Sequence, residues 1–391
     1  MRIGIITGEY PPLEGGVGAF TRELGLALAA SGHELHILTT DIGKAGVASQ
    51  DLGLHVCRDI RHWDRASQRH ITRWAGDLSL DLVNIQYEAA AFQMQGWITL
   101  YPRWQKARLA KPIVVTYHDL LPPYLFPKAG PLRQWSVRQL AQHADGVIVT
   151  NDEDYTALSE ALGDAAPPTR LIPIGSNITP NPPVNYNRTA WRAEYGFTPD
   201  TLLVGFFGFL NHSKGVEALI GAIRRLAGEG LPVHLLFIGG RTGSSDATNA
   251  RYADEIDALI KRLGIGDRVH HTGFTMPTEV SAALLAIDVC ALPYRSGVNF
   301  RRGTLHAALA HGNAIVTTTP QISTPQLRNG ENVLFVSPEN PEALADAIRD
   351  LWQQPETRAA LSQGAAKLAQ EFSWERIAAH TAEFFRTLCQ H

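Results

Sequence analysis

Residues 2–20 read RIGIITGEYPPLEGGVGAF. The apolar run Arg2–Thr7 has the length of one strand, and Val17–Ala30 places Phe20, Leu24, Ala27 and Leu28 on one helical face. Between them Gly15, Gly16 and Gly18 fall within four positions. Glycine weakens a chain unless the backbone must turn sharply or be approached closely. A strand that enters a glycine loop and leaves as a helix is the opening unit of a parallel, doubly wound α/β sheet. Ligands of such sheets sit at the carboxyl ends of strands, beside helix N-termini whose amides suit an anion. The loop is not G-x-G-x-x-G, because Thr21 holds the last position, so a dinucleotide reading is weak. A tight turn that serves packing alone is the competing reading.

The same alternation continues outward from this loop. Further strands are expected at Glu34–Thr39, Leu54–Cys57, Leu82–Tyr87, Pro112–Tyr117, Gly146–Thr150 and Arg170–Pro173. The stretch TPNPPVNYNRTA, 179–190, crowds proline and asparagine and loses all periodicity, which marks a linker. Beyond it, strands are expected at Leu202–Gly205, His234–Ile238, Val269–Thr272, Val289–Leu292, Ala314–Thr317 and Val333–Val336. Helices are expected at Lys214–Leu226, Tyr252–Leu263 and Thr304–His311. A last amphipathic helix follows Ser373, a suitable N-cap. The expected organisation is an N-terminal Rossmann-like domain, 1–178, and a second one, 191–372. Helix 373–391 ends the chain.

The 391 residues suit two domains. A hydrophobic content of 45%, a charged content of 19% and a net charge of −3 describe an ordinary globular chain without the basic field of a nucleic-acid binder. Cys57, Cys290 and Cys389 are too scattered for a zinc site or a disulfide framework, which fits a reducing cytosol. The chain opens on a strand-like run, so no leader peptide is expected, and no apolar segment nears the ~20 residues of a membrane span. Arg58, Arg61, Arg65, Arg69 and Arg73, with Trp63 and Trp74, suit either an anionic lipid or polar glycan, or merely a solvated helix face.

Strand-to-helix junctions supply the candidate site residues. GFFGFLNHSKG, 205–215, places Gly208 after a strand and Lys214 at a helix start. It is not a Walker A motif, because Ser213 and Gly215 hold positions that motif needs as Gly and Ser/Thr. A lysine there suits a phosphate by charge and helix dipole, against the alternative of a solvated lysine. FIGGRTGSSDATN, 237–249, is a polar loop with Arg241, a donor-site wall or a plain surface loop. PYRSGVNFRRGTLHAALAHG, 293–312, sets Arg295, Arg301 and Arg302 before a helix start at Gly303-Thr304, and arginine forks there favour a diphosphate. VVTYHDLLPP, 114–123, ends a strand on His118-Asp119, and NIQYEAAAF, 84–92, ends another on Gln86, Tyr87 and Glu88; these can line a sugar or acceptor site. Asp152-Glu153-Asp154 has the D-x-D form of a metal signature, but acids at a helix start need no metal to explain them.

Taken in order, these segments resemble a retaining glycosyltransferase of family 4. The resemblance rests on GEYPPLEGGVGAFTRELGLALAASGHELHILTT, GFLNHSKGVEALIGAI, VHHTGF, LPYRSGV, ALAHGNAIVTT, RNGENVLFVSPENPEALADAI and FSWERIA, which span nearly the whole chain. It implies the GT-B fold, two Rossmann-like doubly wound parallel-sheet domains facing across a cleft, with the last helix crossing back onto the first domain. It implies a nucleoside-diphosphate sugar as donor, a carbohydrate or lipid acceptor, retention of configuration, and no cofactor or metal. By resemblance the Gly15–Gly16 loop lies under the donor, Lys214 contacts the diphosphate and His118 sits by the transferred sugar. Two departures stand out. Phe209 occupies the position of a family arginine, and Asn299 and Ala307 occupy those of the Glu-x7-Glu acids. Arg301 or Arg302 is then expected to take the missing arginine's place. Rival readings are a sugar-nucleotide epimerase on the same scaffold, a non-catalytic nucleotide-sugar binder, and, more distantly, an NAD-dependent oxidoreductase.

Overall fold

Strands buried on both faces of a parallel sheet read as unbroken apolar runs, and the N-terminal half is built from such runs. In the computed structural model, residues 1–13, 15–43, 49–120, 131–241 and 247–390 are described. They divide into two units, Met1–Gly175 with Ser373–His391, and Ser176–Phe372. Expectations that touch Glu14, 121–123 and 242–246 lie outside the described residues.

The first unit has the strands β1 (Arg2–Thr7), β2 (Glu34–Thr40), β3 (Ser49–Asp51), β4 (Leu54–Ile60), β5 (Leu82–Tyr87), β6 (Ile113–Tyr117), β7 (Gly146–Val149) and β8 (Thr169–Leu171). They form one sheet in the order β3-β4-β2-β1-β5-β6-β7-β8. Ile3 pairs with Leu35 on one side and Leu82 on the other, so the winding reverses between β1 and β5. All ladders are parallel except β3–β4. The three-residue β3 was not expected; so short an element carries no periodicity to read. The helices α1 (Gly16–Ala30), α2 (Arg65–Asp77), α3 (Tyr101–Leu109), α4 (Pro131–Gln142) and α5 (Asp152–Leu162) connect the strands. Alternate strand residues feed two cores: Ile6, Val83, Val115 and Val147 on one face, Ile5, Leu82, Val114 and Ile148 on the other. The terminal helix Trp374–Cys389 covers the second face, with Trp374 edge-on to Phe20 at 5.3 Å, and Ser373 caps it through the Arg376 N–H. Asp152–Asp154 open α5. Its cap is Asn151, and the Asn151 amide also donates to Asp154 at 2.7 Å.

The second unit has α6 (Arg188–Glu194), β9 (Leu202–Phe207), α7 (Val216–Gly228), β10 (Val233–Ile238), α8 (Ala247–Leu263), β11 (Val269–His271), α9 (Pro277–Ala286), β12 (Val289–Leu292), α10 (Gly303–Ala310), β13 (Ile315–Thr318), β14 (Leu334–Val336), α11 (Pro341–Gln353) and α12 (Pro355–Ala369). The last helix, α13 (Trp374–Cys389), belongs to the first unit. The strand order is β11-β10-β9-β12-β13-β14, all parallel, with the reversal between β9 and β12. Val204, Leu235, Val289 and Val316 line one core; Leu203, Leu236, Cys290 and Ile315 line the other. The proline-rich stretch 179–190 carries no strand, and its last residues already belong to α6. Each unit is therefore an α/β doubly wound sheet, and each has one point of reversal where strand ends open to a ligand.

Candidate active site

In the second unit the reversal brings together the loops after β9 and β12. Gly208, the first residue past β9, has φ 110, a conformation that favours glycine. A Cβ there would stand 2.6 Å from Lys214 Nζ and 2.7 Å from Thr304 Cγ2, so the lysine and the start of α10 both press on this bare backbone. Lys214 is buried at 8% exposure, with Nζ 5.8 Å from the centre of the Phe206 ring. Burial, aided by the nearby charge of Arg302, pushes its ammonium pKa down to about 8. Gly215, at φ 61, has no room for a side chain because the Pro293 carbonyl lies against it, which fixes the lysine loop to the chain leaving β12.

Arg302 stands at the N-cap of α10. Its guanidinium lies 4.9 Å above the Tyr294 ring and donates to Ser213 Oγ at 3.3 Å and Ser296 Oγ at 3.1 Å, while its buried Nε has no acceptor among the described residues. Tyr294 and Thr304 join hydroxyls at 2.6 Å. Among the described residues no side chain caps α10, so its first amides, at Gly303 and Thr304, are open to a ligand or water. Two cations thus sit side by side without a carboxylate partner among the described residues, next to four hydroxyls and a helix N-terminus. Like charges held together in this way are stabilised by a polyanion.

The side chains of the other expected residues of this unit make contacts of their own. Arg295 bridges Glu217, at 3.0 Å, and Glu339, and Glu217 also accepts from the Tyr252 hydroxyl at 2.7 Å, so this arginine is a strut between loop and α7. Arg241 pairs with Asp254, at 3.0 Å, and Asp257 on α8. Asn299 builds the turn before α10: its Oδ1 accepts from the Arg301 N–H at 3.2 Å and its carbonyl from the Arg302 N–H at 3.3 Å. Ala307 is a core methyl. Phe209 and Phe274 both flank Gly240, where a Cβ would lie 3.0 and 3.6 Å from their rings, and Phe274 is 73% exposed. Tyr294, Ser296 and Phe274 were not singled out from the sequence. An aromatic two residues past a strand was the available signal for the first and last.

In the first unit the reversal lies at the ends of β1 and β5. The glycine loop there is approached by the chain's own Glu9. Its Oε1 accepts from the Val17 N–H at 3.0 Å and the Gly18 N–H at 3.2 Å, and its carboxylate fills the space a Cβ on Gly15 would need. Burial raises the Glu9 pKa, opposed by the two amides. The expectation that this loop presents its amides to a phosphate is therefore corrected for Val17 and Gly18; a Cβ on Gly16 would meet nothing.

Past β6, His118 meets Phe20 edge-on at 4.7 Å, and its Nε2 lies 2.8 Å from Gln86 Oε1. The polar chain behind it fixes the imidazole tautomer. The Val114 carbonyl only accepts, so the Asn84 amide nitrogen faces it at 3.4 Å and Asn84 Oδ1 faces the Gln86 nitrogen. Gln86 Oε1 is then an acceptor, and the His118 proton resides on Nε2. Burial lowers the His118 pKa to about 3, so the ring is neutral. Tyr87 points the other way along β5 into the core, between Phe92 and Tyr117, which removes it from the expected lining. Its neighbour Glu88 is half-buried just past the end of β5. Burial, with the charges of Asp119 and Glu9, raises its carboxyl to about 7.

Comparison with known proteins agrees with this geometry. Residues 201–354 match the family described as glycosyl transferases group 1, and residues 15–175 match the glycosyl transferase 4-like domain. Proteins named D-inositol 3-phosphate glycosyltransferase are similar over the full length. The one from Rhodococcus erythropolis is 24% identical over 98% of this chain and 91% of its own. That from Xylanimonas cellulosilytica is 25% identical over 97% and 94%. Among solved structures, sucrose-phosphate synthase from Thermosynechococcus elongatus superposes with a TM-score of 0.76 at 23% identity, covering 99% of both chains. Anabaena HepE in complex with UDP has a TM-score of 0.76 at 19% identity, covering 99% of this chain and 100% of its own. With two doubly wound units, each with its ligand-facing reversal, and both family domains in order along the sequence, the chain belongs to the group 1, family 4-like glycosyltransferases of the GT-B fold.

Proposed function

We propose that the C-terminal unit holds a nucleoside-diphosphate sugar and that its sugar passes, with retention and without a metal ion, to a carbohydrate or lipid hydroxyl bound at the N-terminal unit. The observation that carries this reading is the juxtaposition of Lys214 and Arg302, without a counter-ion, at Gly208 and the open start of α10. The leaving diphosphate gains negative charge in the transition state. Fixed cations and helix amides aimed at it stabilise that state more than the ground state, which is the task a metal ion serves elsewhere. Arg302 takes the position on the diphosphate that Phe209 cannot fill, and Phe209 with Phe274 offers an apolar wall to the base. The UDP held by HepE supports a uridine nucleotide as the first donor to test.

In the N-terminal unit the charges of Asp119 and Glu9 both act on Glu88, and Asp119 follows His118 in the chain. Carboxylates accept hydrogen bonds from hydroxyls, so this end of the sheet suits a polyhydroxylated acceptor, the class to which the inositol named in the relatives belongs. His118, held neutral, would serve the transferred sugar as a hydrogen-bonding partner and not as a charge. Three unpaired cysteines support a reducing compartment such as the cytosol, and among the described residues no helix is long and apolar enough to cross a membrane.

A thermal-shift panel of nucleoside diphosphates and their sugars tests the donor assignment, because a ligand that binds only the folded protein raises its Tm. One nucleotide should stabilise the wild type, and Arg302→Ala should abolish that shift. Equal shifts in both proteins would overturn the assignment of Arg302.

A further inference from the structure

A cluster of arginines lies in the N-terminal unit, on α2 and α3. A cavity of about 570 Å³ lies between α2 and α3, lined by Arg65, Gln68, Arg69, Arg103, Trp104, Gln105 and Arg108. Four arginines surround it and no carboxylate does. Among the described residues none of the four forms an ion pair; Arg103 donates to Gln139 Oε1 at 2.7 Å and stands 5.9 Å from the centre of the Trp135 ring. Nearby cations are neutralised in the ordinary way: Lys106 by Asp145 at 2.6 Å and Arg61 by Asp41 at 3.5 Å.

Helix polarity makes the arrangement more unusual. α3 has no acid at its start, and Arg103 stands in its first turn at the positive end of its dipole, whereas α2 is capped by Asp64, which accepts from the Ala66 and Ser67 N–H groups. In a chain of net charge −3, nothing in overall composition requires this concentration of positive charge. The floor is polar and already satisfied: Gln68 donates to the Trp97 carbonyl at 2.7 Å, and Gln105 accepts from Thr72 at 3.3 Å. Trp104, 42% exposed, offers an aromatic wall.

We infer that this cavity binds a phosphate-bearing anion. Guanidinium forks from two helices match phosphate oxygens in pairs, and the anion relieves the repulsion among four like charges. The phosphate can come from a lipid headgroup or from a soluble phosphorylated compound, and the two sources separate by experiment. The protein for the test carries Lys214→Ala and Arg302→Ala, which removes the other anion site. Inorganic pyrophosphate binding is measured by calorimetry, and sedimentation is measured with phosphatidylcholine vesicles that do or do not contain phosphatidylglycerol. Both are repeated after adding Arg65→Ala with Arg69→Ala, or Arg103→Ala with Arg108→Ala, with circular dichroism to verify folding. Pyrophosphate affinity that falls by about tenfold or more in either arginine variant identifies a soluble phosphate site. Sedimentation that needs phosphatidylglycerol and is lost in the arginine variants identifies a lipid headgroup site. Binding of neither probe, or binding unchanged in both arginine variants, overturns the inference.

Discussion

At the scale of single residues, Lys214 carries the most informative chemistry. Its ammonium is held down to about 8 by burial and by Arg302, and a bound diphosphate would raise that value again. Two opposite pH trends follow. In the unliganded protein the native lysine releases its proton before an unfolded lysine does. The unfolded state therefore binds more protons between pH 8 and the ordinary lysine value, and this residue's contribution to stability rises with pH there. Nucleotide affinity falls over the same range, because the cation is lost. Calorimetric titrations from neutral pH upward should show weakening affinity near pH 8, and Lys214→Arg should flatten that dependence. A flat wild-type profile would show that Lys214 does not contact the anion. The three arginines of segment 293–312 could not be told apart in sequence, because Glu217 and Glu339, which occupy Arg295, lie far from it along the chain. Tyr87 was the reverse case: period-two alternation along β5 already sends Gln86 to the side opposite Tyr87.

At the scale of elements, the start of α1 shows what the bare backbone at Gly15 accommodates. The group that comes close is Glu9, six residues before Gly15, whose carboxylate caps the helix from the preceding strand end. The glycines and the close approach were legible in sequence, but the identity of the visitor was not, because a carboxylate and a bound phosphate make the same demand on the backbone. Glu9→Ala leaves two amides without an acceptor and should cost about 1 kcal/mol, as the loss of a helix cap does. Chemical denaturation would read this as a lower midpoint with an unchanged slope. Stability equal to wild type would mean that another group takes over the cap. The longer strands and helices were readable from their periodicity, with ends displaced by a few residues; β3 was too short.

At the scale of the whole molecule, the chain's two ends meet in one unit. Trp374, Ile377, Phe384 and Phe385 of α13 share a core with Ile3, Phe20 and Leu24. The amphipathic pattern of the last helix was visible in sequence, whereas its partner came only from family resemblance, since periodicity names a buried face but not what buries it. Trp374→Ala should destabilise the first unit by about 3–5 kcal/mol, the usual cost of deleting a large buried aromatic. In a melt followed by tryptophan fluorescence the first unit should unfold earlier, while the nucleotide-dependent shift of the second persists. A loss confined to the second unit would contradict the contacts of α13.

The central claim is that Lys214 and Arg302 together hold a diphosphate. The most direct measurement is the calorimetric Kd of UDP for wild type, Lys214→Met, Arg302→Met and the double variant. Charge-assisted hydrogen bonds of about 1.5–3 kcal/mol predict a loss of about tenfold or more for each single variant. Because the two cations share one ligand, the loss in the double variant should differ from the sum of the single losses. UDP affinity that stays at the wild-type value in all three variants would contradict the account.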